Sequence, residues 1–227
     1  MKTTASIVML FCTLQLFAQK PVNKEFYFTN GVYLTYEDFK NDLPALSWNV
    51  LDAEAHIDGN EHLVRFSEIL MLDDQTPVDI ESIWGVSIEG KPYLNINKVK
   101  GKERLRSSGE DPVLFVRLQA IGNLCYFFYE AYVSEKVAMH VYDPRTGVRL
   151  RTGVVENMKP IAIKKILKFE TGEVIDYNLS NFKKLIKSDE ALYNTLIELS
   201  DTEARSKMYK SLFIFNERNP VFINSKS

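Results

Sequence analysis

The chain has 227 residues, 45% of them apolar, 26% charged and 12% aromatic, which excludes disordered, collagen-like and low-complexity classes. Its 28 Lys and Arg face 30 Asp and Glu, a net charge of -2, so no positive surplus exists to neutralise a phosphate backbone and nucleic acid is not expected as a partner. Two cysteines, Cys12 and Cys125, are too few for a disulfide framework or a cysteine-based zinc site.

The first residues have the order of a secretory signal peptide: Lys2, then the apolar run Ile7-Val8-Met9-Leu10-Phe11-Cys12, then Leu14, Leu16, Phe17 and Ala18. Cleavage is expected between Ala18 and Gln19, giving an exported protein, periplasmic or extracellular. A membrane anchor or a buried first helix competes with this reading, but the apolar part is about a dozen residues where ~20 are needed to span a bilayer. Lipidation at Cys12 is not expected, because Phe11 stands where a small side chain is required. Cys125 then remains as the only thiol, and its apolar, aromatic setting suits a buried side chain better than a nucleophile.

Gly31-Val32-Tyr33-Leu34 reads as a short strand, and Thr35 as the N-cap of a helical turn with Asp38 at its third position, ended by Pro44. Residues 48–72 alternate in the manner of a partly exposed strand, with Asp58-Gly59-Asn60 as a turn. Residues 80–97 read as a hairpin around Glu89-Gly90-Lys91-Pro92. Residues 98–111 carry Lys98, Lys100, Lys102, Arg104 and Arg106, offset by Glu103, Glu110 and Asp111, and suit a solvated loop.

Residues 113–133 are the most apolar stretch, yet Arg117, Gln119, Asn123 and Glu130 fall inside it, and a charge at bilayer centre costs ~2.5 to 3.5 kcal/mol. The stretch is therefore expected to form two central strands turning at Gly122-Asn123. Further hairpins are expected at residues 137–155, turning through Asp143-Pro144-Arg145-Thr146-Gly147, and at residues 161–177, turning at Thr171-Gly172.

The apolar period then changes from two to 3.6. Stripes run through Phe182, Leu185 and Ile186 after Ser180, through Leu192, Leu196 and Ile197 after Asp189, and through Ala204, Met208, Leu212 and Phe215 after a capping box at Ser200 and Glu203. Strands followed by helices predict an α+β fold: a largely antiparallel sheet or partly closed barrel followed by a C-terminal helical segment. Residues 1–18 are the expected signal peptide and 19–227 one α+β domain, mainly β over 19–178 and mainly α over 179–227.

Gly31-Val32-Tyr33-Leu34-Thr35-Tyr36-Glu37-Asp38-Phe39, Ile83-Trp84-Gly85 with Tyr93-Leu94, Asp176-Tyr177-Asn178-Leu179 and Phe215-Asn216-Glu217-Arg218-Asn219-Pro220, together with Phe17-Ala18-Gln19, resemble a group of exported Bacteroidetes-type proteins of unknown function. The resemblance implies an envelope or exported location and no particular activity.

Of three histidines, His56 has the most acidic surroundings. Asp52, Glu54, His56 and Asp58 would share one face of a strand, and with Glu61 and His62 could ligate a divalent metal. A solvated edge face is the preferred reading. No Gly-x-Ser-x-Gly elbow, phosphate loop or His-Glu-x-x-His helix occurs, so no catalytic, cofactor-binding or metal residue is assigned and no cofactor is expected. Tyr126-Phe127-Phe128-Tyr129 with Tyr132 suit the core better than a stacking platform, and Trp84-Gly85 suits close backbone approach. The function expected is a non-enzymatic binding or interaction module of the cell envelope, for a protein, peptide or glycan ligand; the alternative is a metal- or carbohydrate-linked hydrolase.

Overall fold

The computed structural model describes residues 19–58, 62–101, 103–105 and 112–224. The expected signal peptide, residues 59–61 of the expected turn with Glu61, and Lys102, Arg106, Glu110 and Asp111 of the charged loop lie outside the described residues.

In chain order the elements are β1 (Gln19–Val22), β2 (Gly31–Tyr33), α1 (Tyr36–Lys40), a 3-10 turn (Trp48–Val50), β3 (Leu51–Asp58), β4 (Leu63–Met71), β5 (Gly85–Ile88), β6 (Lys91–Asn95) and α2 (Ile96–Val99). There follow β7 (Phe115–Arg117), β8 (Leu124–Tyr142), β9 (Arg149–Lys168), β10 (Val174–Asp176), α3 (Leu179–Leu185), α4 (Glu190–Ile197), α5 (Asp201–Arg218) and β11 (Val221–Asn224). The fold is α+β, as its sequence predicts. A large curled antiparallel sheet, a half-barrel of order β2-β5-β6-β7-β4-β3, is joined by a three-stranded sheet β10-β9-β8 and followed by the helices.

Alternation along β8 explains the layering. Cys125, Phe127, Tyr129 and Ala131 pack toward the curled sheet, against Leu94 and Val116, while Leu124 and Tyr126 point the other way, against Phe182, Leu196, Met208 and Leu212 of the helices. The root of β8 and β9 is thus buried on both faces, as two central apolar strands should be. Beyond it the curled sheet holds a third cluster around Phe66, Phe115, Val86 and Ile83.

The local signals act as expected at the helix starts. Thr35 and Asp38 form a reciprocal capping box on α1, Ser200 and Glu203 form another on α5, and Asp189 caps α4. The cap of α3 is Asn178, not Ser180. The strand reading differs in three places. Gly122-Asn123 does not join two long strands, because β7 ends at Arg117 and only an isolated bridge, Ala120 to Tyr126, crosses the bend. The two hairpins expected at residues 137–155 and 161–177 share continuous strands: β8 pairs with β9 from Leu124 with Lys168 to Tyr142 with Arg149. Helix α5 ends at Arg218 with Asn219 as its C-cap, and the strand that follows it, β11, which pairs with β1, was not expected.

Candidate functional site

The acidic face of β3 is solvated. Asp52, Glu54 and His56 are exposed, and their cross-strand partners on β4 are Leu70, Glu68 and Arg65. A guanidinium opposite His56 opposes cation binding, and like charges stand opposite at Glu54 and Glu68. Among the described residues no group of three or more His, Cys, Asp and Glu could hold a metal ion. His62 lies across the hairpin, its ring edge-on to Phe128, and burial first, then Arg117, holds its pKa below the ordinary value.

Most of the aromatic run is core: Phe127 and Tyr129 are buried in one layer and Tyr126 in the other, while Phe128 and Tyr132 are half-buried. Trp84 packs on Tyr36 and Phe39, and a Cβ on Gly85 would come within 2.7 Å of the Tyr93 carbonyl, so close backbone approach is what that glycine serves. Cys125 is fully buried with its thiol 3.2 Å from the Gly122 carbonyl oxygen, and burial pushes its pKa up to about 12.

One charge enters the core that sequence reading did not single out. Lys165, on the same face as Phe127, is buried, with its Nζ 2.7 Å from Asp176 and 3.5 Å from Glu103. The Tyr129 hydroxyl, buried nearby without a hydrogen-bond partner among the described residues, has its pKa raised by burial, then by Glu103 and Asp176, and Lys165 ties residue 103 to β9 and β10. Its only legible signal was a lysine at an inward parity between Ile163 and Leu167. An open cleft of about 670 Å³ at the end of the β1–β11 ribbon is lined by Lys20, Phe26, Tyr27 and Asp42. The Asp42 carboxylate there is occupied by the Thr29 backbone N–H at 2.7 Å, the Thr29 hydroxyl at 3.0 Å and the Tyr33 hydroxyl at 2.8 Å.

Among the described residues, the outer half of the β8–β9 pair is the longest exposed stretch of strand. Past Val133 every residue to Tyr142 is exposed, as is all of β9 from Arg149 to residue 157. At ~3.3 Å per residue this half forms an arm about 30 Å long. Residues paired across the strands share a face. From root to tip, one face carries Glu135 opposite Asn157, Val137 opposite Val155, Met139 opposite Gly153 and Val141 opposite Arg151. The other carries Lys136 opposite Glu156, Ala138 opposite Val154 and His140 opposite Thr152, the last pair 3.3 Å apart at Nδ1 and Oγ1. Met139 is 54% exposed, Leu150 63% and Val154 67%. The tip turn is held by Asp143, whose carboxylate accepts from the N–H groups of Arg145 and Thr146.

Sequence reading found these strands and their turn but not their projection, because neither face alternates strictly between polar and apolar. The signal that was present is Pro160. Tyr132 bonds its own N–H and C=O to Arg104, so the Tyr132–Pro160 pair exchanges no bonds and the proline ring faces the outer edge of β9, where it blocks strand addition at the root. Among the described residues no helix is long and apolar enough to cross a membrane. Comparison with family models, curated proteins and solved structures gave no match.

Proposed function

We propose that this protein is an exported, non-enzymatic interaction module of the cell envelope and that the β8–β9 arm is its contact surface. The observation that carries the reading is the row of exposed aliphatic side chains on one face of the arm, Val137, Met139, Val141 and Val155. A contiguous apolar surface of this kind marks an association site. A two-stranded ribbon alone is marginal in water, whereas this one is the extension of strands whose root is locked between two cores. Export is supported by Lys2 and the short apolar run, and by the resemblance of the chain's motifs to exported Bacteroidetes-type proteins.

A photo-reactive amino acid placed at Met139 in protein expressed in an exporting bacterial host tests the contact surface. Cross-links are expected from Met139 and not from Lys187, an exposed residue between α3 and α4; equal yields at both positions overturn the reading. Intact mass of the exported protein tests the leader: the expected chain begins at Gln19, and one that retains Met1 or starts at a lipid-modified Cys12 refutes the expectation.

A further inference from the structure

The apolar face of the arm is patterned along its length, with an acid at the root, Glu135, an arginine toward the tip, Arg151, and a glycine between them. Among the described residues, no contact or backbone angle requires that glycine. Gly153 does not have a positive φ, and a Cβ added to it would meet no atom within 4 Å. Glycine inside a strand destabilises by ~0.5 to 1 kcal/mol relative to alanine, and its ordinary use there is to admit close approach of another group. The notch at Gly153 leaves room for a side chain from outside the chain to approach the backbone.

We infer that this face is covered by the same face of a second copy, the two arms lying antiparallel about a two-fold axis; the inference rests on the arm being an interaction surface. An axis crossing the arm between the Val137 and Met139 levels sets Val155 of each copy over Gly153 of the other. The same rotation brings the Arg151 level of one arm to the Glu135 level of its mate, twice, because a two-fold contact is isologous. Charge selects this direction. Parallel arms would bring the tips together, with Arg145, Arg149 and Arg151 of both copies side by side, and like charges in contact disfavour a pairing. The face is about 30 Å by ~10 Å, or ~300 Å² per copy, against ~800 Å² for a standard interface. The dimer is accordingly weak and reversible.

Sedimentation equilibrium of the exported protein at concentrations from about 1 to ~500 µM should show a monomer–dimer equilibrium with its midpoint in the upper part of that range. Glu135→Arg and Arg151→Glu should each weaken it about five- to tenfold, and the double swap should restore it to within about twofold, as a charge pair across an interface requires. Gly153→Trp should abolish it, with unchanged thermal unfolding as the check that these exposed positions leave the fold intact. A monomer at all concentrations, or a dimer indifferent to all four variants, overturns the inference. The Met139 cross-link separates the two levels. A product of twice the chain mass supports self-pairing; a product with a different protein from a monomeric chain overturns self-pairing and leaves the interaction surface standing; no product at all overturns both. A monomer that instead co-sediments with phosphatidylglycerol vesicles assigns the arginine-bearing tip to an anionic lipid surface, and self-pairing falls.

Discussion

Cys125 and the buried tyrosines share one electrostatic condition, which makes alkaline pH the natural stress for this protein. Burial raises the thiol from an ordinary value of 9.0 to about 12, and burial likewise leads the causes that raise the phenols of Tyr33, Tyr129 and Tyr177. Each group keeps its proton in the folded state at a pH where the unfolded chain has lost it. Stability is therefore full below pH 9 and falls as pH rises from there, because the unfolded state binds fewer protons. Urea midpoints measured from pH 7 to pH 11 should decline above about pH 9, with a shallower decline in Cys125→Ala or Tyr177→Phe. A flat profile overturns the burial of these groups. At pH 8 the folded thiol should resist a thiol reagent that labels it at once in denaturant. Burial of Cys125 was legible in sequence from its aromatic neighbours, whereas Lys165 was not: a buried charge is decided by its partners in space, here Asp176 across the β9–β10 pairing and Glu103 at 62 residues' separation, and no local pattern encodes both.

At the scale of elements, what was legible were the signals that act within four residues: the capping boxes at Thr35 and Ser200, the turns at residues 143–147 and 171–172, and the stripe Ala204, Met208, Leu212 and Phe215, which is buried throughout. What was not legible was long-range pairing, since the exposed and buried halves of β8 are one strand with one register. The junction of α5 with β8 shows how a short motif acts at a distance. The Asn216 side chain accepts from the Leu124 N–H and donates to the Leu124 carbonyl, both at 2.9 Å, and so stands in for a neighbouring strand at the start of β8. Gly122 makes room for it, since a Cβ there would lie 2.5 Å from the Asn216 carboxamide carbon. Arg218, the last residue of α5, reaches both Asp189 oxygens, at 3.2 and 3.3 Å, and so anchors the N-cap of α4. Two residues of the Phe215 to Pro220 motif are thus fastenings. Asn216→Ala strips both partners from the Leu124 peptide, and each unmet buried group costs ~1 to 3 kcal/mol. A loss of about 2 to 4 kcal/mol in chemical denaturation is expected, and a loss below ~0.5 kcal/mol would show that the clamp is idle.

For the whole molecule the question is whether the helices are an addition to the sheet or part of its closure. Leu124, Tyr126 and Ile166 of the three-stranded sheet are buried by Phe182, Leu196, Met208, Leu212 and Phe215, and the chain then returns through β11 to pair with β1 at the opposite end of the sequence. Removing the segment from Asn178 onward uncovers one face of β8 and β9, takes away the Asn216 clamp and leaves β1 without its partner. Each large aliphatic or aromatic side chain returned to water forfeits ~1.5 to 3 kcal/mol, and several such losses exceed the ~5 to 15 kcal/mol that holds a typical domain folded. The helices in turn are too small a unit to bury enough surface against their chain entropy alone. A chain ending at Tyr177 should therefore aggregate or fail to melt cooperatively, as measured by light scattering and thermal circular dichroism. The opposite result, a monomer that melts cooperatively at the full-length temperature, would show that the sheets fold without the helices. The uncovered face of β8 would then be a second open surface of the molecule, beside the arm that those same strands carry outward.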